Sequence, residues 1–187
     1  MEVQEIAVGS ERILVGIAGI KAEPTLSPLL EAVGELEEKY GASIAVLKAE
    51  AAFSARRLLI ACEQAIERYY RKENIARKLS IEILLNVAAT RQIREALEIA
   101  AAEPGDSTAV LAIVARDRSS LESLLSEALE IVGGEIDDSL LESRASFERL
   151  AELYEISREE LEATYASNTA EALEKILISR TAVLYVE

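Results

Sequence analysis

Thr108-Ala-Val-Leu-Ala-Ile-Val-Ala115 is the most continuous β-prone run in the chain and reads as the central strand of a sheet. Upstream, Glu103-Pro104-Gly105-Asp106 forces a turn, and downstream Ser119 to Val132 has the spacing of a capped amphipathic helix stopped by Gly133-Gly134. Earlier, Ile13 to Ile20 reads as a buried strand interrupted by Gly16 and Gly19, followed by a helix from Ser27 to Tyr40 ending at Gly41. A second strand is expected over Ser43 to Ala49. Then come a helix over Ser54 to Arg71, with Phe53 and Leu58 placed for a hydrophobic staple, and two more over Ile75 to Ala88 and Thr90 to Ala101.

Beyond Gly134, Glu135 to Leu141 reads as a short strand or turn, ahead of acidic helices over Ser146 to Tyr154, Arg158 to Tyr165 and Thr169 to about Ile178. Thr181 to Val186 is β-prone and predicts a return to the sheet edge. The expected fold class is α+β: a single domain over 1–187, with a small, mainly antiparallel sheet of about four strands packed against several helices. Residues 1–10 are a candidate for disorder.

With 50% apolar residues in 187, the chain can bury a core without a disulfide or metal. Cys62 is the single cysteine and falls in a helical apolar pattern, which marks it as a packing residue and suits a reducing interior. There is no histidine or tryptophan, which excludes histidine-based acid/base chemistry, Ser-His-Asp triads and histidine metal sites. No cofactor and no enzymatic activity are expected. No apolar run reaches the ~18 residues needed to span a bilayer, and Met1 to Ser10 is acidic, so a cytoplasmic location without membrane partners is expected.

Charge is unevenly distributed. The stretch from Arg56 to Arg94 holds nine cations and four acids, net +5, whereas the other eleven cations and thirty acids leave −19. Such a body repels nucleic acid except where the island is exposed. Arg56, Arg57, Arg68, Arg71, Lys72, Arg77, Lys78, Arg91 and Arg94 are therefore the candidate RNA-binding residues. Arg57, Arg68, Arg71 and Lys72 form a stripe opposite the helix's apolar face. Arg56 and Arg57 also occupy a first helical turn, where the macrodipole disfavours a cation by ~0.3–1 kcal/mol. Two readings stand: an anion held at the helix terminus, or an ordinary solvated face.

Tyr70 is placed to stack on an unpaired base or to sit at the core edge, while Tyr69 falls on the apolar face. Glu82, in the apolar run Leu79 to Leu85, needs a partner: it reads as a structural pairing residue, with a nearby arginine the expected partner, or as part of a ligand pocket. Gly133 to Ser139 holds three carboxylates at a spacing that fits no EF-hand and reads as an acidic turn.

Asn74-Ile75-Ala76-Arg77-Lys78 running into Ile81-Glu82-Ile83-Leu84-Leu85, with Gln92-Ile93 and Glu95-Ala96-Leu97, resembles the middle of the KEOPS regulatory subunit family, called PRPK-binding protein (TPRKB) in animals. Val132-Gly133-Gly134-Glu135-Ile136-Asp137-Asp138-Ser139-Leu140-Leu141 is similar to the later signature of that family. The resemblance covers most of the chain from about Ile13. Where members often carry an arginine and a Ser-Gly pair, this chain has Asn86, Ala88 and Ala89.

The resemblance implies a non-catalytic subunit of the complex that installs threonylcarbamoyl on tRNA adenosine. It would bind the kinase-like ATPase subunit, and through it the threonylcarbamoyltransferase subunit, and capture the single-stranded 3′ CCA end of tRNA. The apolar surplus of Leu173, Ile176, Leu177, Val183, Leu184 and Val186 nominates the C-terminal portion as the face for the ATPase, unless those residues complete the chain's own core. A purely structural subunit without RNA binding is the alternative.

Overall fold

The run that opens the sequence argument becomes strand β4 (Thr108–Ala115), and seven of its eight residues are buried. This computed structural model describes residues 1–142 and 147–185. The other strands are β1 (Glu2–Val8), β2 (Glu11–Lys21), β3 (Ser43–Leu47) and β5 (Glu135–Ile136). The sheet runs β1-β2-β4-β3, antiparallel throughout, with the short β5 pairing the end of β2. The helices are α1 (Ser27–Tyr40), α2 (Ala49–Ala52), α3 (Ala55–Arg71), α4 (Leu79–Ala88), α5 (Ile93–Ala100), α6 (Arg118–Val132), α7 (Phe147–Leu153), α8 (Arg158–Ala163) and α9 (Thr169–Val183). A 3₁₀ turn spans Asp138–Leu141.

Both faces of the sheet are covered, which is why β4 shows no polar alternation. Val110, Ala112 and Val114 join Ile13, Val15 and Ile17 under α3 and α4. Leu111 and Ile113 point the other way, with Ala18 and Ile20, toward Leu29 and Leu36 of α1 and Leu121 and Leu124 of α6. Each fully buried side chain of this kind contributes about 1.5–3 kcal/mol over exposure. A third cluster joins Phe53 to Leu150 and Tyr154 of the α7 region and to Leu173, Ile176 and Leu177 of α9.

Several expectations are corrected. Residues 2–8 are a strand: a Gly9-Ser10 turn, with Gly9 at φ +62°, pairs β1 with β2 from Val8↔Glu11 to Glu2↔Ile17 and buries Ile6. Residues 181–185 do not return to the sheet. α9, capped by the Asn168 side chain, carries on to Val183, and the Thr181 hydroxyl lies 2.9 Å from Leu177 O and 3.1 Å from Asn86 O. The helix expected from Ile75 starts at Leu79, because Asn74 to Lys78 wraps as a loop around the buried Glu82. Phe53 and Leu58 lie in different apolar clusters and form no staple. Phe53 instead adopts φ +63°, ψ −61°, a strained γ-turn closed by Ser54 N donating to Ala52 O at 2.8 Å.

The two glycines of β2 each meet a close neighbour. Gly16 lies under Leu121, and Gly19 lies against the backbone of Asp137, whose N–H donates to Gly19 O at 2.8 Å. A Cβ on Gly19 would sit 2.1 Å from Asp137 O, so Gly19→Ala must push β5 and the 3₁₀ turn off the sheet. We expect it to destabilise the protein by at least about 1–3 kcal/mol, read as a lower urea midpoint. Cys62 is fully buried, and burial pushes its thiol up to about 12. Alkylation by iodoacetamide at pH 8 is expected to proceed only as the protein unfolds, with a rate that tracks global opening.

Candidate functional site

Nine basic residues entered the structure as one proposed site, and the fold separates them. Ser54 caps α3 by accepting from Arg57 N at 3.1 Å. Arg57 is 1% exposed and faces inward. Its guanidinium donates to Ala51 O at 2.7 Å and to Val87 O, and it lies 4.9 Å from the centroid of the Tyr154 ring. Those carbonyls belong to the ends of α2 and α4, where the last C=O groups lack intrahelical partners and the macrodipole is negative. The cation that broke the dipole rule on its own helix therefore obeys it on two others. Arg57 is withdrawn from the RNA-binding set by its burial.

α4 returns along α3, so Val87 meets Arg57 at one end while Leu79 lies near Tyr69 and Tyr70 at the other. Arg56 and Arg71 are separated by about 22 Å of helix rise. At the N-terminal end of α3 Arg56 pairs with Glu174 at 3.1 Å, while on α5 Arg94 pairs with Glu98 at 2.9 Å and exposed Arg91 lies two residues ahead of that helix. At the other end of α3 are Arg68, Arg71, Lys72, Arg77 and Lys78. There Arg68 pairs with Glu73 at 3.2 Å, Arg71 with Glu67 at 3.9 Å and Lys78 with Glu37 at 3.2 Å. Lys72, Arg77 and Arg91 are exposed and make no ion pair among the described residues. Lys72 ends α3 at φ +61°.

Tyr69 and Tyr70 are both partly buried and packed against the core, 6.3 Å apart edge to face, and the Tyr69 hydroxyl donates to Arg77 O at 3.2 Å. Glu82 is fully buried, and its partners are not an arginine. Ile75 N and Ala76 N donate to its Oε2 at 3.0 and 2.8 Å, and the Tyr185 hydroxyl donates to Oε1. Asn86 Nδ2 reaches the same hydroxyl at 2.9 Å, and the Arg68 guanidinium lies 4.4 Å from the Tyr185 ring centroid. Burial, and then the hydrogen bond to Glu82, hold the Tyr185 hydroxyl above the ordinary phenol range. Sequence reasoning missed Tyr185 because its role depends on α9 folding back over α3 and α4.

The C-terminal residues divide likewise. Leu173, Ile176 and Leu177 are buried in the third cluster, so the surplus that suggested an interface is consumed by the chain's own core. Val183 is 57% exposed, Leu184 is partly buried, and Val186 lies outside the described residues. The acidic segment after Gly134 forms β5 and the 3₁₀ turn, where the Asp137 side chain accepts from Ser139 N and Asp138 pairs with the N-terminal ammonium. No group of three or more potential metal-ligating side chains occurs among the described residues. No helix among them is long and apolar enough to cross a membrane.

The family model described as kinase binding protein CGI-121 matches residues 22–184, a span that takes in β3 to β5, the helices α1 to α9, and Glu82 with its loop, and stops one residue short of Tyr185. The chain belongs to this family. A relative, the regulatory protein Cgi121 of Methanocaldococcus jannaschii, is 32% identical over 110 residues, 59% of this chain and 68% of that protein. The matched region includes every cation discussed above. It excludes β1 and the whole of β2, so the sheet's first hairpin lies outside the shared description.

Arg57→Ala is expected to leave Val87 O bare and Ala51 O with the Tyr154 hydroxyl alone, at a cost of at least about 1–3 kcal/mol, whereas Arg56→Ala, removing an exposed pair, should cost under about 1 kcal/mol. Paired thermal and urea unfolding curves distinguish the two.

Proposed function

We propose that this chain is a non-catalytic regulatory subunit that binds a kinase-like ATPase and recruits tRNA through its single-stranded 3′ CCA end, as part of the KEOPS threonylcarbamoyladenosine machinery. Membership of a kinase-binding family supports the first half, and the relative's description as a regulatory protein supports the non-catalytic role. The observation that carries the second half is the C-terminal end of α3. There Lys72 and Arg77 are exposed without acidic partners in a chain whose net charge is −14.

A single-stranded terminus presents phosphates and unstacked bases, and this end of the helix offers cations beside tyrosines. Arg68, Arg71 and Lys78 stand close by in ion pairs that are at least partly exposed, each worth ~0.2–1 kcal/mol, which phosphates can replace. Among the described C-terminal residues assigned to the ATPase, exposed Val183 is the one still open for contact, with Leu184 beside it.

A second reading has an observation of its own. Arg56, Arg68, Arg71, Lys78 and Arg94 are all paired with acids of this chain, as in a domain that meets proteins alone. The two readings separate on tRNA binding measured with and without the CCA end. Recruitment predicts retention that needs the CCA end. It also predicts a slope of log affinity against log salt of roughly 0.7 per phosphate neutralised, and a fall in that slope by about one to two phosphates in Lys72→Ala, Arg77→Ala. Binding that is absent, or indifferent to both changes, leaves the protein-only subunit.

A further inference from the structure

The buried polar niche between α3 and α4 is filled by an aromatic ring of the chain's own C-terminus. Arg68 lies over the Tyr185 ring at 4.4 Å, and the ring's polar edge meets Glu82 Oε1 and Asn86 Nδ2. Guanidinium on the face, carboxylate and carboxamide on the edge: these are the contacts by which proteins hold an unstacked nucleobase. The match to tyrosine is incomplete. Asn86 Oδ1 is fully buried and has no hydrogen-bond partner among the described residues, because a phenol brings one O–H and that proton goes to Glu82.

We propose that this niche is a nucleobase subsite, closed in the free protein by Tyr185 and opened when an RNA base displaces it. It rests on the tRNA-binding reading above. Cytosine and adenine carry an exocyclic amine with two N–H donors next to a ring nitrogen that accepts. Such an edge satisfies Glu82 Oε1 and the orphaned Asn86 Oδ1 together, while Asn86 Nδ2 donates to the ring nitrogen. Uracil brings a single N–H donor to that edge and, like the phenol, leaves Asn86 Oδ1 unmet, so it is disfavoured. Glu82 is held in place for this by Ile75 N and Ala76 N, at the loop that carries Arg77. Tyr185 is two residues past the end of α9, so it can leave without unfolding the helix that buries Leu173 and Leu177. The cationic surroundings favour a nucleotide over the aromatic side chain of a protein partner.

The test uses the full chain and 5′-labelled single-stranded RNA 12-mers, one ending in CCA and one all uridine, followed by fluorescence anisotropy. Tyr185→Ala removes the competitor and is expected to tighten CCA binding on the order of tenfold, within the ~1–3 kcal/mol of one stacked base, with little change for uridine. Arg68→Gln in the Tyr185→Ala background should reverse the gain. In the wild-type protein, 3-fluorotyrosine at position 185 should shift in its ¹⁹F resonance as CCA RNA saturates the site, a readout that survives if the variants fold poorly.

Wild-type binding of CCA RNA that Tyr185→Ala does not strengthen, or an unmoved fluorine signal at saturation, overturns the subsite and leaves tRNA recruitment standing. Equal gains for both RNAs overturn it as a reader of base edges. No binding of CCA RNA or tRNA by either protein overturns both proposals. Tighter binding of the kinase-like partner alone overturns it in favour of a protein side chain as the occupant.

Discussion

A guanidinium with no carboxylate partner holds the helical layer together. Arg57 reaches from α3 to carbonyls at the ends of α2 and α4, and Tyr154, beyond α7, covers it while donating its own hydroxyl to Ala51 O at 2.7 Å. Burying a charge is costly unless its donors are met. Here two helix-end carbonyls meet the terminal nitrogens and an aromatic face covers the group, while Nε has no hydrogen-bond partner among the described residues. Because one side chain serves both helix ends, its loss would bare Val87 O and leave Ala51 O to Tyr154 alone. The strained backbone at Phe53 lies between the α2 carbonyl and the Ser54 cap, and the turn it makes lets both reach Arg57.

The sheet and the long helices were legible in the sequence where a single pattern ruled. β4 is apolar on both sides, α1 ends at a glycine in the left-handed region, and α6 stops at Gly133 for the same reason. Legibility failed where two rules competed. Thr181 and Val183 favour strand locally, but α9 already had an N-cap and a buried apolar face, and tertiary burial outweighs that preference. β1 escaped notice because its acidic residues mask a paired strand that buries only Ile6.

The candidate site was legible as composition and much less so as geometry. Arg57 shares a helical row with Ala61 and Ala65, both buried, but its charge and its eleven-residue spacing from Arg68 placed it on the stripe opposite the apolar face. Arg68, at the other end of the same helix, does reach the surface. The island's net charge survives folding while its members part to two ends of α3, and the end bearing Lys72 and Arg77 keeps its field least compensated. The acidic remainder of −19 repels polyanions over most of the body, and the repulsion is weakest at that small positive area.

β1 pairs with β2 on one side only, and its outer row of amides and carbonyls carries Glu2 and Glu5. Open sheet margins invite another molecule's strand to dock, the first step toward fibrils. Two copies meeting there would set anion against anion, so the hairpin outside the shared family region supplies its own safeguard against polymerisation.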